Sequence, residues 1–333
     1  MKAFLKTLVL FCIPGILYLV IMTGVYCWSD PFQILYSYPN YSRSHIPTNW
    51  DYISTEMYLK NNERYHYNSF VFGSSRTMAF QPDSWKKYLG EQHQPYMFHA
   101  SMETVYGIYK KLKFLDDRGA QIKNALIILC RDCSFSTDGN LTGHLYIKDP
   151  ATSGESRLAF HREFLGAFFN PFFSASYFYF TLTKSYRKWM KGYVEEEVIL
   201  FDTVTNQVNT QSLENRIRRD PVQYYLQRAS LFYPRSSEKV DGVSRIRPHQ
   251  RYMLREILRI LEKHRTDYRI ILSPLYEQVR FSPTDKAVLA KLFGSNLFDF
   301  SGKNRFTDAK TNYYEPSHYR TAVGDSILSL VYR

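Results

Sequence analysis

From Thr7 to Trp28 the chain runs for 22 residues without a formal charge, and the run is rich in Leu, Ile, Val and Phe. About 20 such residues are what a helix needs to cross the hydrocarbon of a bilayer. A cleaved signal peptide would have a shorter apolar region, about 7 to 15 residues, and a small-residue cleavage site; Tyr26-Cys27-Trp28 is not one. The run therefore reads as an uncleaved signal anchor, with residues 1–28 forming a cytoplasmic stub and a transmembrane helix. Lys2 and Lys6 precede it and Asp30 comes after it, so the positive-inside rule predicts a cytoplasmic N-terminus and an extracytoplasmic domain, periplasmic or extracellular, with Tyr26 and Trp28 at the outer interface. The nearest approach to a second span, Phe168 to Thr181, is interrupted by Asn170-Pro171 and several Ser and is too short and too polar to cross.

Beyond the anchor, a chain of 333 residues leaves room for one large domain with an insertion. The 28 Tyr and 24 Phe argue for an ordered core and against disorder. The net charge of +12 would attract anionic partners such as headgroups or an acidic polymer. The basic residues are scattered singly, however, and no nucleic-acid module is recognisable, so nucleic acid is not expected as a partner. Cys12 and Cys27 lie in the apolar run, where they serve as small apolar residues. Cys130 and Cys133 are left, read as a local disulfide or two free thiols without a catalytic role. Neither a zinc-type ligand set nor a phosphate-binding glycine loop is present, so no metal and no cofactor are expected.

Residues 29–65 are weakly periodic and read as a connecting stretch that packs against the domain. From there an alternation begins, which predicts an α/β domain over 66–333 with a parallel sheet. The expected strands are Ser69 to Phe72, Tyr96 to Phe98, Ala125 to Leu129, Arg269 to Leu272 and Leu297 to Phe300. The expected helices are Pro82 to Leu89, Thr104 to Arg118, Pro248 to His264, Pro283 to Phe293 and Tyr319 to Leu330. Between about 140 and 245 the rhythm is lost, and that span reads as a helical insertion covering one edge of the sheet.

Two segments could carry chemistry. Val71-Phe72-Gly73-Ser74-Ser75-Arg76 places a serine just after a buried strand, at the end of a parallel strand where ligands collect, with a Gly that lets the backbone turn sharply. Alone, Gly-Ser-Ser is equally an ordinary strand-to-helix turn. Glu315-Pro316-Ser317-His318 offers an imidazole and a carboxylate three residues apart. A serine hydroxyl needs an imidazole to take its proton, and the imidazole needs an acceptor to fix its tautomer.

Taken together, Gly-Ser-Ser after the first strand and Glu-x-x-His before the last helix resemble the SGNH-hydrolase superfamily. Within it the chain is similar to the membrane-anchored branch that includes the teichoic acid D-alanylation and alginate O-acetylation proteins. There an N-terminal helix holds an extracytoplasmic domain, the first block reads Gly-Ser-Ser, and the last reads Asp-x-x-His. The resemblance implies a three-layer, flavodoxin-like sheet with helices on both faces. It makes Ser75 the nucleophile, His318 the general base and Glu315 the orienting acid.

The implied activity is that of a serine acyl-esterase or O-acyltransferase acting on a cell-surface polysaccharide or other glycopolymer, with a membrane acyl-transfer protein as a possible partner. Two departures stand out: Glu315 replaces the usual Asp, and the middle blocks lack the Asn that completes the oxyanion hole. Ser75, Ser101 and Arg76 are the candidate oxyanion donors. The alternatives are a non-catalytic partner in envelope polysaccharide modification, or a membrane-anchored lipase or thioesterase whose acyl pocket would draw on the insertion's aromatic residues, with Phe168 to Phe180 the segment to examine, though core packing is the more usual role of such rings.

Overall fold

The computed structural model describes residues 2–42, 44–235 and 238–333. Five strands form one parallel sheet: β1 (Ser69–Gly73), β2 (Pro95–Met97), β3 (Asn124–Leu129), β4 (Asp267–Leu272) and β5 (Leu297–Asp299). Their order is β2-β1-β3-β4-β5, with Phe70 level with Tyr96 on one side and Ala125 on the other. This is the flavodoxin-like order of doubly wound sheets, and its direction of winding reverses between β1 and β3.

The strands read as short apolar runs because both of their faces are covered. Phe70, Phe72, Ile127, Leu129, Ile270 and Leu272 point into one layer. It is built by α2 (Trp50–Tyr65), α4 (Val105–Asp117) and the helices Pro248–Lys263 and Pro283–Phe293. Val71, Leu126, Ile128 and Ile271 point the other way, into α3 (Pro82–Leu89) and the last helix, Thr321–Val331. Thr104, expected as the first residue of its helix, is instead its N-cap, and Ser282 caps the helix that Pro283 opens.

One segment differs from expectation. Residues 50–65 are not a mere connection: α2 is a 16-residue helix capped by Asn49, and its Trp50, Ile53, Met57 and Tyr58 belong to the core. Its inward face also carries buried Asp51, Ser54 and Thr55, so the apolar stripe that marks an amphipathic helix is broken in the sequence.

The N-terminal helix α1 (Lys2–Ser29) is long and apolar enough to cross a membrane. Most of it is exposed, but Met22 and Tyr26 are buried in an aromatic cluster with Phe32, Phe164, Phe168 and Phe173. The chain's exit from α1 is pinned. The buried Asp30 carboxylate accepts from the Ile34, Leu35 and Tyr36 amides and from the Tyr38 hydroxyl, and the Tyr36 hydroxyl donates to Cys27 O.

Among its described residues the span 140–245 contains four helices of seven or more residues: Arg157–Phe168, Pro171–Thr183, Gln211–Arg219 and Pro221–Gln227. Its loop at 201–208 lies along the sheet edge, where the Met97 amide of edge strand β2 donates to Thr205 O and Asn206 Nδ2 donates to Met97 O.

Candidate active site

Ser75 opens a short 3-10 turn, Ser75–Ala79, directly beyond the carboxyl end of β1. The turn depends on Gly73, whose φ of +146° lies where side chains are strained; a Cβ there would meet Ile128 O at 2.8 Å. Ser75 thus sits where the winding of the sheet reverses, the place at which open α/β sheets leave a crevice for ligands.

Glu315 and His318 are paired across a two-stranded antiparallel hairpin, Tyr313–Glu315 and His318–Tyr319, turned by Pro316-Ser317. The hairpin is held from outside by the insertion. Tyr224 Oη donates to Tyr314 O at 3.1 Å, Tyr225 Oη donates to Tyr313 O at 2.9 Å, and Glu214 accepts from Tyr314 Oη and Arg320.

The two segments meet. Ser75 Oγ lies 2.7 Å from His318 Nε2, and His318 Nδ1 is hydrogen-bonded to Glu315 Oε1. The other Glu315 oxygen accepts from the Ser317 amide at 2.7 Å. Burial pushes the Glu315 carboxyl up, but the His318 contact, the Ser317 amide and the Arg76 charge outweigh it and hold the group below its ordinary value. Glu315 is therefore ionised and accepts a hydrogen bond from the Nδ1–H of His318, which leaves Nε2 free to accept from the serine hydroxyl.

Arg76 does a different job from the one expected of it. Its guanidinium makes a two-pronged pair with Asp132, at 2.9 and 2.6 Å, while Nε donates to Ser317 O at 3.0 Å. With these donors committed it clips the 315–318 hairpin to the loop after β3 and is not aimed at an acyl oxygen. Cys130, Asp132 and Cys133 bring ligand atoms within 4.8 Å of one another, yet Arg76 already uses Asp132 and touches Cys133 Sγ at 3.6 Å. A metal ion would compete with the guanidinium for the same lone pairs. Both thiols are free and buried.

Ser101 is half-buried beyond β2 and faces the same apolar cavity as Ser75 and His318. That cavity, of about 360 Å³, is lined by Trp50, Met78, Val198, Ile199, Val208 and Leu213. On the Glu315 side lies a charged cavity of about 410 Å³, with Lys191, Glu195, Glu196, Arg216 and Arg228 on its walls. His318, Met78, Leu213 and Glu197 border both. A larger hollow of about 640 Å³ around Asn40, Gln81 and Asp202 reaches none of the three site residues.

The Phe168 to Phe180 segment does not line the apolar cavity. It packs with the end of α1 instead, the core use that aromatic rings ordinarily have, while the apolar cavity is lined from elsewhere, by Trp50, Met78, Val198, Ile199, Val208 and Leu213.

Sequence reasoning passed over Asp132, Tyr224 and Tyr225. Asp132 carried a signal, since it comes just after β3 at the carboxyl edge of the sheet, but the two tyrosines lie in the non-repeating insertion and carried none. The sequence matches no protein-family model, and no curated protein is detectably similar to it.

Proposed function

We propose that the chain is a membrane-anchored, extracytoplasmic serine acyl-esterase or O-acyltransferase of SGNH type, which acts on a surface polysaccharide or other glycopolymer through an acyl-Ser75 intermediate. One observation carries the reading. A hydrogen-bonded Ser75, His318, Glu315 relay is assembled from residues 243 apart in sequence at the carboxyl edge of the sheet, between an apolar cavity and a charged one.

In this mechanism Ser75 Oγ attacks the acyl carbonyl while His318 Nε2 takes its proton and Glu315 stabilises the imidazolium. The developing oxyanion is received by the Ser75 amide and Ser101. As the tetrahedral species collapses, His318 protonates the departing oxygen and the acyl group stays on Ser75. Water or an acceptor hydroxyl then gives its proton to His318 as it attacks the ester, and His318 passes that proton to Ser75 Oγ as the serine leaves. The apolar cavity suits the acyl group and the charged one a polar acceptor or leaving group. α1, led by Lys2 and Lys6, holds the site near exported polymer and near a membrane partner that delivers acyl groups, which raises effective concentration.

The test is covalent labelling of the detergent-solubilised full chain with a fluorophosphonate probe. Wild type should label, and Ser75→Ala and His318→Ala should not. A folded wild type that stays unlabelled would turn the reading to a non-catalytic partner in polymer modification, for which Glu315 in place of Asp and the missing Asn would then be the signature.

A further inference from the structure

The helices Arg157–Phe168 and Pro171–Thr183 form a hairpin whose outer surface differs from that of a soluble helix pair. Phe164 to Thr183 is a stretch of 20 residues without a charge, whereas solvent-facing helix positions ordinarily carry charged or polar groups. Its exposed positions include Phe172, 68% exposed, and Leu182, 82% exposed; just before it Leu158 is 79% exposed.

The inner surface packs against α1 and the turn that leaves it. Phe164 and Phe173 pack on Phe32, Phe168 packs on Tyr26, and Phe169, at the tip, packs on Tyr18. Tyr18 lies eight residues before Tyr26, about 12 Å along the helix. With Tyr26 and Trp28 at the outer interface, the tip falls inside the outer half of a hydrocarbon core roughly 30 Å thick.

The polar groups of the stretch are arranged for that setting. Asn170 at the tip caps the Phe172 and Phe173 amides, Ser174 Oγ donates to Phe168 O, Ser176 Oγ to Phe172 O, and Thr183 Oγ1 to Tyr179 O. Internal satisfaction of this kind is what a medium without water demands. One flank carries exposed Arg157 and Arg162 beside half-buried Glu163, and the other is basic and exposed, with Lys184, Arg187, Lys188 and Lys191. Cations at the ends of an apolar segment match lipid phosphates.

We propose that this hairpin seats in the outer leaflet of the bilayer beside α1, with Lys184 to Lys191 among the lipid phosphates. The proposal rests on the reading of α1 as a transmembrane anchor. It also bears on the site: Tyr186 and Lys191, in the loop leaving the hairpin, line the charged cavity with Glu315 and His318. The rim of that cavity is then at headgroup level, where a substrate carried on a lipid can reach it.

The experiment reconstitutes the full chain in nanodiscs of phosphatidylcholine and phosphatidylglycerol doped with a diazirine-acyl phosphatidylcholine, and maps photo-adducts by peptide mass spectrometry. Adducts are expected in both α1 and Phe164 to Thr183, with those of the hairpin lost in Phe172→Glu/Leu182→Glu while those of α1 remain. Adducts in α1 alone overturn the hairpin proposal and leave the anchor standing, the hairpin then being covered by protein or by water. Adducts in neither segment overturn the anchor reading and this proposal with it.

Discussion

Glu315 and His318 occupy directly paired positions of a hairpin, so the carboxylate reaches the imidazole from the side and must curl back to Nδ1. Glutamate's extra methylene serves that path, and its second oxygen is held by the Ser317 amide. Glu315→Gln should lower the rate of probe labelling by about 10⁴-fold, since an amide favours the wrong tautomer. Glu315→Asp should also be slower than wild type; a faster Asp variant would show that the site is built for the shorter acid.

A second residue, His99, sits behind the serine turn. Thr77 Oγ1 donates to Ser74 O and so receives the proton of His99 Nδ1, which leaves the buried Nε2 without a partner among the described residues. Burial, helped by the Lys111 charge, pushes the His99 imidazole down from 6.5 to about 3, and burial pushes that of His144 down to about 4. Below pH 6.5 the unfolded chain protonates these histidines while the folded chain does not, so their contribution to stability is full above 6.5 and declines as the pH falls toward 4 and 3. Denaturant midpoints across that range should decline in the wild type and decline less steeply in His99→Gln. That Ser75, Glu315 and His318 could meet was legible in the blocks Gly-Ser-Ser and Glu-x-x-His, which place them at the ends of sheet elements. The clip made by Arg76 was not, because a bidentate partner 56 positions away in sequence leaves no local pattern.

Two glycines decide how the elements of the site meet. Gly73 lets β1 turn into the serine-bearing segment, and Gly324 lets the last helix lie against that segment, since a Cβ on Gly324 would run into Ala79 O. Gly73→Ala combines a disfavoured φ with a backbone contact and should cost at least about 2 kcal/mol in thermal or denaturant unfolding. Gly324→Ala should push the last helix off the Ser75–Ala79 turn and reduce labelling even where the fold survives. The strands and most of the helices were readable because both faces of the sheet are apolar and glycine, proline and serine punctuate the ends. α2 was not, because three polar residues lie on its inward face. Two of them meet partners from elsewhere: Asp51 pairs with Lys111 and Lys148, and the Ser54 hydroxyl reaches His99 O, while Thr55 bonds to Asp51 O within the helix.

At the scale of the whole molecule that pairing becomes a fastening. Asp51 from α2, Glu103 from the loop after β2, Lys111 from α4 and Lys148 from the start of the insertion form a four-charge cluster, each side chain at most 1% exposed. Removing one member strands the others in the interior, so Lys148→Met should cost about 3 to 5 kcal/mol by urea unfolding. A loss below about 1 kcal/mol would mean that the remaining charges are rescued by water. The sequence loses its rhythm between about 140 and 245, but the contribution of that span to the apolar cavity through Val198, Ile199, Val208 and Leu213 depends on long-range placement that no window of sequence contains.

The pinned exit of α1 bears on how far the site can travel. With Met22 and Tyr26 inside the domain and Asp30 gathering the chain immediately after the helix, the last turns of the proposed anchor and the sheet move as one body. The serine is then carried on a fixed bracket instead of a leash. On the proposed anchor it would keep one height above the bilayer and one compass bearing around α1, and acceptor groups of the proposed polymer would be selected by the distance at which they pass.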